Sequence, residues 1–206
     1  MIETRILPAG DPQAIQQAVL VLQGGGLVAF PTDTVYGVGA LAHDPAGIQQ
    51  LFIVKGREAA KAIPILIGDP SDLPRVAQEV GEMAFKLARR FWPGALTLVL
   101  PRHAGLPPNL GLEPTVGVRM PDHPAALALL RLAGPMAVTS ANLSGGPNTT
   151  SASEVFSQLG GRIPLLLDGG RTPGGDPSTV VDCTGPEPRI LRPGPVTYEE
   201  ILQALN

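Results

Sequence analysis

Residues 136–148 read MAVTSANLSGGPN, and their order decides the kind of fold. Met136 to Ser140 is an apolar run of strand length that empties into a loop carrying Ser140, Asn142, two glycines and Pro147. In α/β proteins ligands bind where strands run out into such loops. The same arrangement recurs on both sides. Leu27 to Phe30 reads as a buried strand bounded by glycines and Pro31, followed by a polar loop. Ile63 to Ile67, Leu96 to Leu100, Val116 to Met120, Leu165 to Leu167, Val180 to Cys183 and Arg189 to Leu191 are strand-like as well. The close spacing of the last two predicts a mixed sheet instead of a purely parallel one.

Helices fall between these runs. Asp11-Pro12 is a helix start, followed by Ile15, Ala18, Val19 and Leu22 on one face and stopped at Gly24. Asp44-Pro45 repeats the device, with Ile48, Leu51 and Phe52 as the buried face of a helix ending near Lys55. Pro74 to Trp92 reads as the longest helix, with Val76, Val80, Met83, Ala84, Leu87 and Phe91 at helical spacing. Ser151 with Glu154 and Thr197 with Glu200 mark two further starts as capping boxes. The expected architecture is a layered α/β domain over residues 1–206, with a twisted mixed β-sheet and helices packed on it.

Bulk properties narrow the function. The chain has 206 residues, 44% of them hydrophobic, enough for a sizeable core. A net charge of −3 argues against gripping nucleic acid by bulk charge, so any RNA contact needs a local basic patch. The first residues, MIETRILPAGD, lack a charged-then-apolar leader, and no apolar run is long enough to cross a bilayer, so a cytoplasmic location is expected. Cys183 is alone, and His43, His103 and His123 are not at ligand spacing, which argues against a disulfide or a structural metal site. No phosphate-binding GxxxxGK[ST] loop, dinucleotide-binding GxGxxG turn or GxSxG nucleophile elbow is present.

Five segments carry the candidate site. Thr32 and Thr34 in PTDTVYGVG (31–39) offer hydroxyls beside glycines that let a ligand approach the backbone; taken alone, the segment reads first as a glycine turn with capping threonines. Lys55, Arg57 and Lys61 cluster in KGREAAKAIP (55–64), suited to phosphate oxygens or, on the plainer reading, to a solvated helix end. Arg119 interrupts the apolar VGVRMP, where a guanidinium needs a carboxylate, a phosphate or an internal acid; Asp122 or solvent are the structural partners. Ser140 and Asn142 face whatever occupies the cleft, or cap a turn. Ser178 opens a strand after a glycine-rich stretch, and Arg192 stands between Leu191 and Pro193; ordinary loop positions explain both too. His43 and His123 lack a paired acid or nucleophile and read as structural.

Taken in order, PTDTVYGVGA, KGR, WPGALTLVL, VGVRMPDHP, SANLSG, DGG, STVVD and LRPGPVT resemble the YrdC-like family of threonylcarbamoyl-adenylate synthases over nearly the whole chain. The resemblance implies a concave basic cleft. It places Thr32, Thr34, Arg119 and Ser178 in a threonine pocket, and Arg57, Lys61, Thr115, Ser140, Asn142, Asn148 and Arg192 around ATP. Lys55 with Arg57 and Ser140 with Asn142 are the most specific of the shared features, Lys55 and Arg57 standing as the catalytic cations. It further implies L-threonine, bicarbonate and ATP as substrates, Mg2+ arriving with the nucleotide, and a downstream tRNA threonylcarbamoyltransferase complex as partner. Two positions depart from the pattern: Glu58 stands where proline is usual, and Leu66 where some members carry a histidine. The extra carboxy-terminal domain of longer relatives is not in this sequence, so closure of the site is expected to be managed otherwise. Two rivals remain at this point: a non-catalytic module binding tRNA or double-stranded RNA, which the net charge disfavours, and a carbamoyl-adenylate-forming domain of the hydrogenase-maturation type, whose accompanying domains are missing.

Overall fold

A computed structural model describes residues 2–56, 58, 62–174 and 177–206. Its strands are β1 (Arg5–Pro8), β2 (Val28–Phe30), β3 (Gly37–Leu41), β4 (Ile65–Leu66), β5 (Leu96–Pro101), β6 (Thr115–Arg119), β7 (Met136–Ser140), β8 (Leu165–Asp168), β9 (Thr179–Asp182) and β10 (Arg189–Arg192). They form one ten-stranded sheet in the order β1-β8-β2-β3-β7-β4-β6-β5-β9-β10. Pairs such as β2/β8, β4/β6 and β5/β9 are parallel, while β2/β3, β3/β7, β5/β6 and β9/β10 are antiparallel. The mixed sheet expected from the closely spaced carboxy-terminal strands is present.

Period-two alternation sends successive residues of each strand into different layers. Ala29, Ile65, Ala137 and Leu166 join one apolar cluster, while their neighbours Val28, Phe30, Leu66, Met136, Val138, Leu165 and Leu167 join a second. The first cluster is closed by helices α2 (Pro45–Lys55), α4 (Glu82–Phe91), α6 (Ala152–Leu159) and α7 (Tyr198–Leu205), through side chains such as Leu51, Leu87, Val155 and Ile201. The second is closed by α1 (Pro12–Gln23) and α5 (Pro124–Ala133), through Ile15, Ala18, Leu22, Leu129 and Leu130. Coverage on both faces explains why the central strands read as unbroken apolar runs.

That second layer stops short of one end of the sheet. On β5, Leu96, Leu98 and Leu100 enter the first cluster, so Thr97 and Val99 face the other way. On β6, Val116 and Val118 do the same, which turns Gly117 and Arg119 toward the side that α1 and α5 leave uncovered. The uncovered stretch is where a ligand cavity forms.

Four points differ from expectation. The long helix over Pro74 to Trp92 is two helices: α3 (Leu73–Val76) ends at Ala77, which is extended and bridges to Arg102, and α4 restarts at Glu82. Glu79 sits between them in the left-handed region at φ 51°, where a continuous helix cannot pass. The polar loop after β2 holds a strand, β3, and β1 at the sheet edge was not foreseen. Ser151 caps α6, but Glu154 returns its hydrogen bond to Thr150 instead of to the cap, whereas the Thr197–Glu200 capping box is complete.

Candidate functional site

The cavity on the uncovered face has a volume of about 380 Å³. Its floor comes from alternate residues of the central strands, and its rim from the loops after β2 and β7 and before β9. Two glycines keep the floor open. A Cβ on Gly37 would stand 2.7 Å from Val138 Cγ1, and one on Gly117 would stand 3.1 Å from Thr97 Cγ2.

Arg119, 6% exposed, is the cavity's central cation. Its Nη2 meets Asp33 Oδ1 at 2.5 Å, Nη1 donates to Thr34 Oγ1 at 3.1 Å, and Nε donates to the Gly94 carbonyl at 2.9 Å. The internal acid that a buried guanidinium requires is therefore Asp33, not Asp122. The bonds continue through the threonines. Thr32 donates its hydroxyl to the Val35 carbonyl and accepts from the Thr34 backbone N–H, and its oxygen is 3.0 Å from that of Thr34. Thr32's hydrogen is thus committed, and Thr34 donates to it. Thr32 lines the cavity as the support of Thr34, which keeps acceptor capacity for a ligand.

A second guanidinium approaches from β10. Arg192 donates through Nε and Nη2 to the Ser178 carbonyl at 3.1 and 2.8 Å, and through Nη2 to Ser178 Oγ at 3.2 Å. Burial, and after it the like charge of Arg119, hold its pKa below the ordinary arginine value. Among the described residues two cations share the cavity, with one carboxylate, Asp33, engaged on Arg119, an arrangement that favours an anionic ligand.

Ser140, the last residue of β7, and Asn148, in the loop that follows it, also line the cavity. That loop is held from behind by Lys55, 2% exposed, at the carboxy end of α2. Its Nζ donates to the carbonyls of Ser140 and Asn142 and lies 3.4 Å from Asn142 Oδ1. Asn142 spends its amide on the carbonyls of Leu143 and Gly146, each at 2.8 Å, and Ser144 N–H donates to the Lys55 carbonyl. Lys55 and Asn142 therefore build the loop wall and do not line the cavity. Thr115, at the far end of β6, does not line it either. Arg57 and Lys61 lie outside the described residues.

Thr32, Thr34, Arg119, Ser140, Asn148, Ser178 and Arg192 are thus brought together, and three participants were missed. Asp33 stood unremarked between two singled-out threonines. Thr97 is signalled by LTLVL, where a hydroxyl takes one of the positions that alternate away from the buried leucines. Tyr36 lines the cavity too, and its hydroxyl donates to the Gly170 carbonyl at 2.7 Å and accepts from Gly169 N–H at 3.1 Å. Burial raises its pKa, so the phenol stays protonated as that donor. His123 caps α5 by accepting from Ala125 N–H at 3.2 Å, as its structural reading requires.

Fold and cavity together define a mixed α/β domain with an arginine-bearing cavity on the uncovered end of its sheet. The Sua5/YciO/YrdC family model, described as telomere recombination, matches residues 20–194, and the chain belongs to this family. It is 47% identical over 199 residues to the threonylcarbamoyl-AMP synthase of Bacillus subtilis (strain 168), covering 95% of this chain and 57% of that protein. It is 42% identical over 208 residues to a putative threonylcarbamoyl-AMP synthase of Mycobacterium tuberculosis, covering 98% of this chain and 96% of that protein. The crystal structure of P. abyssi Sua5 complexed with L-threonine superimposes with a TM-score of 0.92 at 42% identity, covering 100% of this chain and 61% of that one. The chain thus spans somewhat more than half of two of these relatives and nearly all of the third.

Proposed function

We propose that this chain is an L-threonylcarbamoyladenylate synthase, a nucleotidyltransferase that makes threonylcarbamoyl-AMP and pyrophosphate from L-threonine, bicarbonate and ATP for the threonylcarbamoyl modification of adenosine 37 in tRNA. The observation that carries the reading is the convergence of Arg119, Arg192 and the hydroxyls of Thr34 and Ser178 on one cavity. Relatives that bear the synthase name, and a threonine complex of a structural neighbour, support it. Among the described residues no helix is long and apolar enough to cross a membrane, and we place the reaction in the cytoplasm. We also take residues 1–206 as one domain.

In this reading the threonine amine and bicarbonate condense to a carbamate with loss of water. A carbamate oxygen attacks the α-phosphorus of ATP in line, forming the P–O bond as the bond to pyrophosphate breaks. No protein nucleophile is needed, so the chain's work is positioning and charge neutralisation. Arg119, oriented by Asp33 and Thr34, faces the threonine side, with Ser178 across the cavity. Arg192, Ser140 and Asn148 face the nucleotide, with Thr115 further out along β6. Lys55 and Asn142 hold the loop that follows Ser140 and carries Asn148. The same resemblance assigns Arg57 and Lys61 to the phosphates, Arg57 as the most sensitive position. Mg2+ bound to the nucleotide would supply charge neutralisation at its phosphates. The product passes to a tRNA threonylcarbamoyltransferase complex, and any contact with tRNA or duplex RNA is weak at a net charge of −3.

Pyrophosphate release in the presence of ATP, bicarbonate and magnesium tests the reading. Release that depends on L-threonine, with L-serine much weaker and no release without amino acid, is expected. Release indifferent to the amino acid, or salt-sensitive RNA binding with no ATP consumption, contradicts it.

A further inference from the structure

Thr97 lies in the middle of β5, 4% exposed, on the cavity side of the sheet. Its hydroxyl oxygen is 2.7 Å from Ser178 Oγ. A second donor, Arg192 Nη2, reaches the same Ser178 oxygen at 3.2 Å. Each hydroxyl carries one hydrogen and two acceptor sites. Arg192 fills one acceptor site of Ser178. When Thr97 donates, it fills the other, and the Ser178 hydrogen, with no acceptor among the described residues, is left to the cavity that Ser178 lines. In the reverse arrangement the spare hydrogen sits on Thr97, which lines the same cavity. Either way the pair presents one hydroxyl hydrogen on an oxygen that is held in place.

The surroundings fix that pair. Thr97 is β-branched and stiff at χ1, and its methyl occupies the space over Gly117, where a Cβ would come within 3.1 Å. Behind Ser178, the Gly194 backbone is packed so closely that a Cβ there would stand 2.5 Å from Thr179 N. The Thr179 hydroxyl donates to the Val196 carbonyl at 2.8 Å, which fastens the following segment to β9.

We infer that Thr97 donates to Ser178 Oγ and is thereby a positioning residue for the amino-acid half of the site: it sets the Ser178 hydroxyl as a donor to an oxygen of the amino-acid substrate and ties that donor to Arg192. This rests on the assignment of Ser178 to the threonine side in the proposed function. Thr97→Val keeps the side-chain shape and removes the hydroxyl; Thr97→Ser keeps the hydroxyl.

The experiment measures L-threonine binding by calorimetry, KM for threonine and for ATP by pyrophosphate release, and the thermal midpoint. Thr97→Val is expected to weaken threonine binding and raise its KM about tenfold, as loss of one buried hydrogen bond does. The ATP KM stays within about twofold, and Thr97→Ser recovers most of the loss. Adding Thr97→Val to Ser178→Ala costs nothing further in threonine affinity, because the two act through one oxygen. Unchanged threonine affinity in Thr97→Val overturns the inference. So does an equal loss toward threonine and ATP with a lowered midpoint that serine does not restore, the signature of a purely structural role. Calorimetry needs no turnover: a wild-type protein that binds threonine but releases no pyrophosphate refutes the proposed reaction, while the Thr97→Val affinity still decides this inference. A wild-type protein that binds no threonine overturns both.

Discussion

The Arg119 guanidinium is held 2.5 Å from the Asp33 carboxylate, across 86 residues of sequence, with both side chains mostly withdrawn from water. Removing one partner of such a pair leaves the other buried without compensation. Asp33→Ala is expected to lower unfolding free energy by about 3 kcal/mol, read from urea denaturation, with Asp33→Asn costing less because it keeps an acceptor. Arg119→Ala is expected to raise the threonine requirement more than the ATP requirement. An unchanged threonine dependence removes Arg119 from the amino-acid side.

Lys55 is the peg of the loop after β7. Its ammonium sits against the carbonyls of Ser140 and Asn142, which have few alternatives in a buried setting. Lys55→Met leaves those carbonyls short of a donor and costs about 2 to 3 kcal/mol of stability, with adenylate formation falling as Ser140 and Asn148 lose their positions. Lys55→Arg does not rescue, since a planar fork cannot replace a compact point donor. Full activity in Lys55→Met, measured by pyrophosphate release, contradicts this role.

His123 gives the fold a dependence on pH. Burial pushes its pKa below the ordinary 6.5, against the opposing pull of Asp33 and Asp122. The folded protein therefore keeps the imidazole neutral, with Nδ1 accepting from Ala125 N–H. The unfolded chain takes up the proton first as pH falls below about 6.5, so stability is full above that value and declines as pH drops toward the lower folded pKa. The thermal midpoint is expected to fall more steeply between about pH 7 and 5 in the wild type than in His123→Asn, which retains a capping acceptor without the titration. Parallel pH curves contradict it.

Most of the sheet was legible because its central strands are apolar and bounded by glycine and proline. β3 was not, since GVGAL reads as a turn. It is a strand because bare glycines there let the methyls of Val138 pack against the backbone, a requirement set by the neighbouring strand. β1 was not, because a short, mostly exposed edge strand carries no strong pattern. The break between α3 and α4 was hidden by helical spacing that continues across it, overridden where Ala77 bridges to Arg102 and Glu79 turns left-handed. In the site, Arg119 announced itself as a charge in an apolar strand. Its partner did not, because nothing local links residue 33 to residue 119. Thr97 was written in the alternation of β5 and becomes meaningful only once the uncovered face of the sheet is known. Lys55 was read as a cation of the cleft, and its placement behind the loop follows from how α2 ends against the β7 loop.

The central claim is that the cavity joins an amino acid, bicarbonate and a nucleotide into one molecule. Incorporation of isotope-labelled bicarbonate, followed by mass analysis of the products, tests it most directly. The account predicts a labelled species with the mass of threonylcarbamoyl-AMP, formed only when ATP and L-threonine are both present and sharply reduced in Arg119→Ala. Conversion of ATP to AMP and pyrophosphate with no label carried into an adenylate contradicts it.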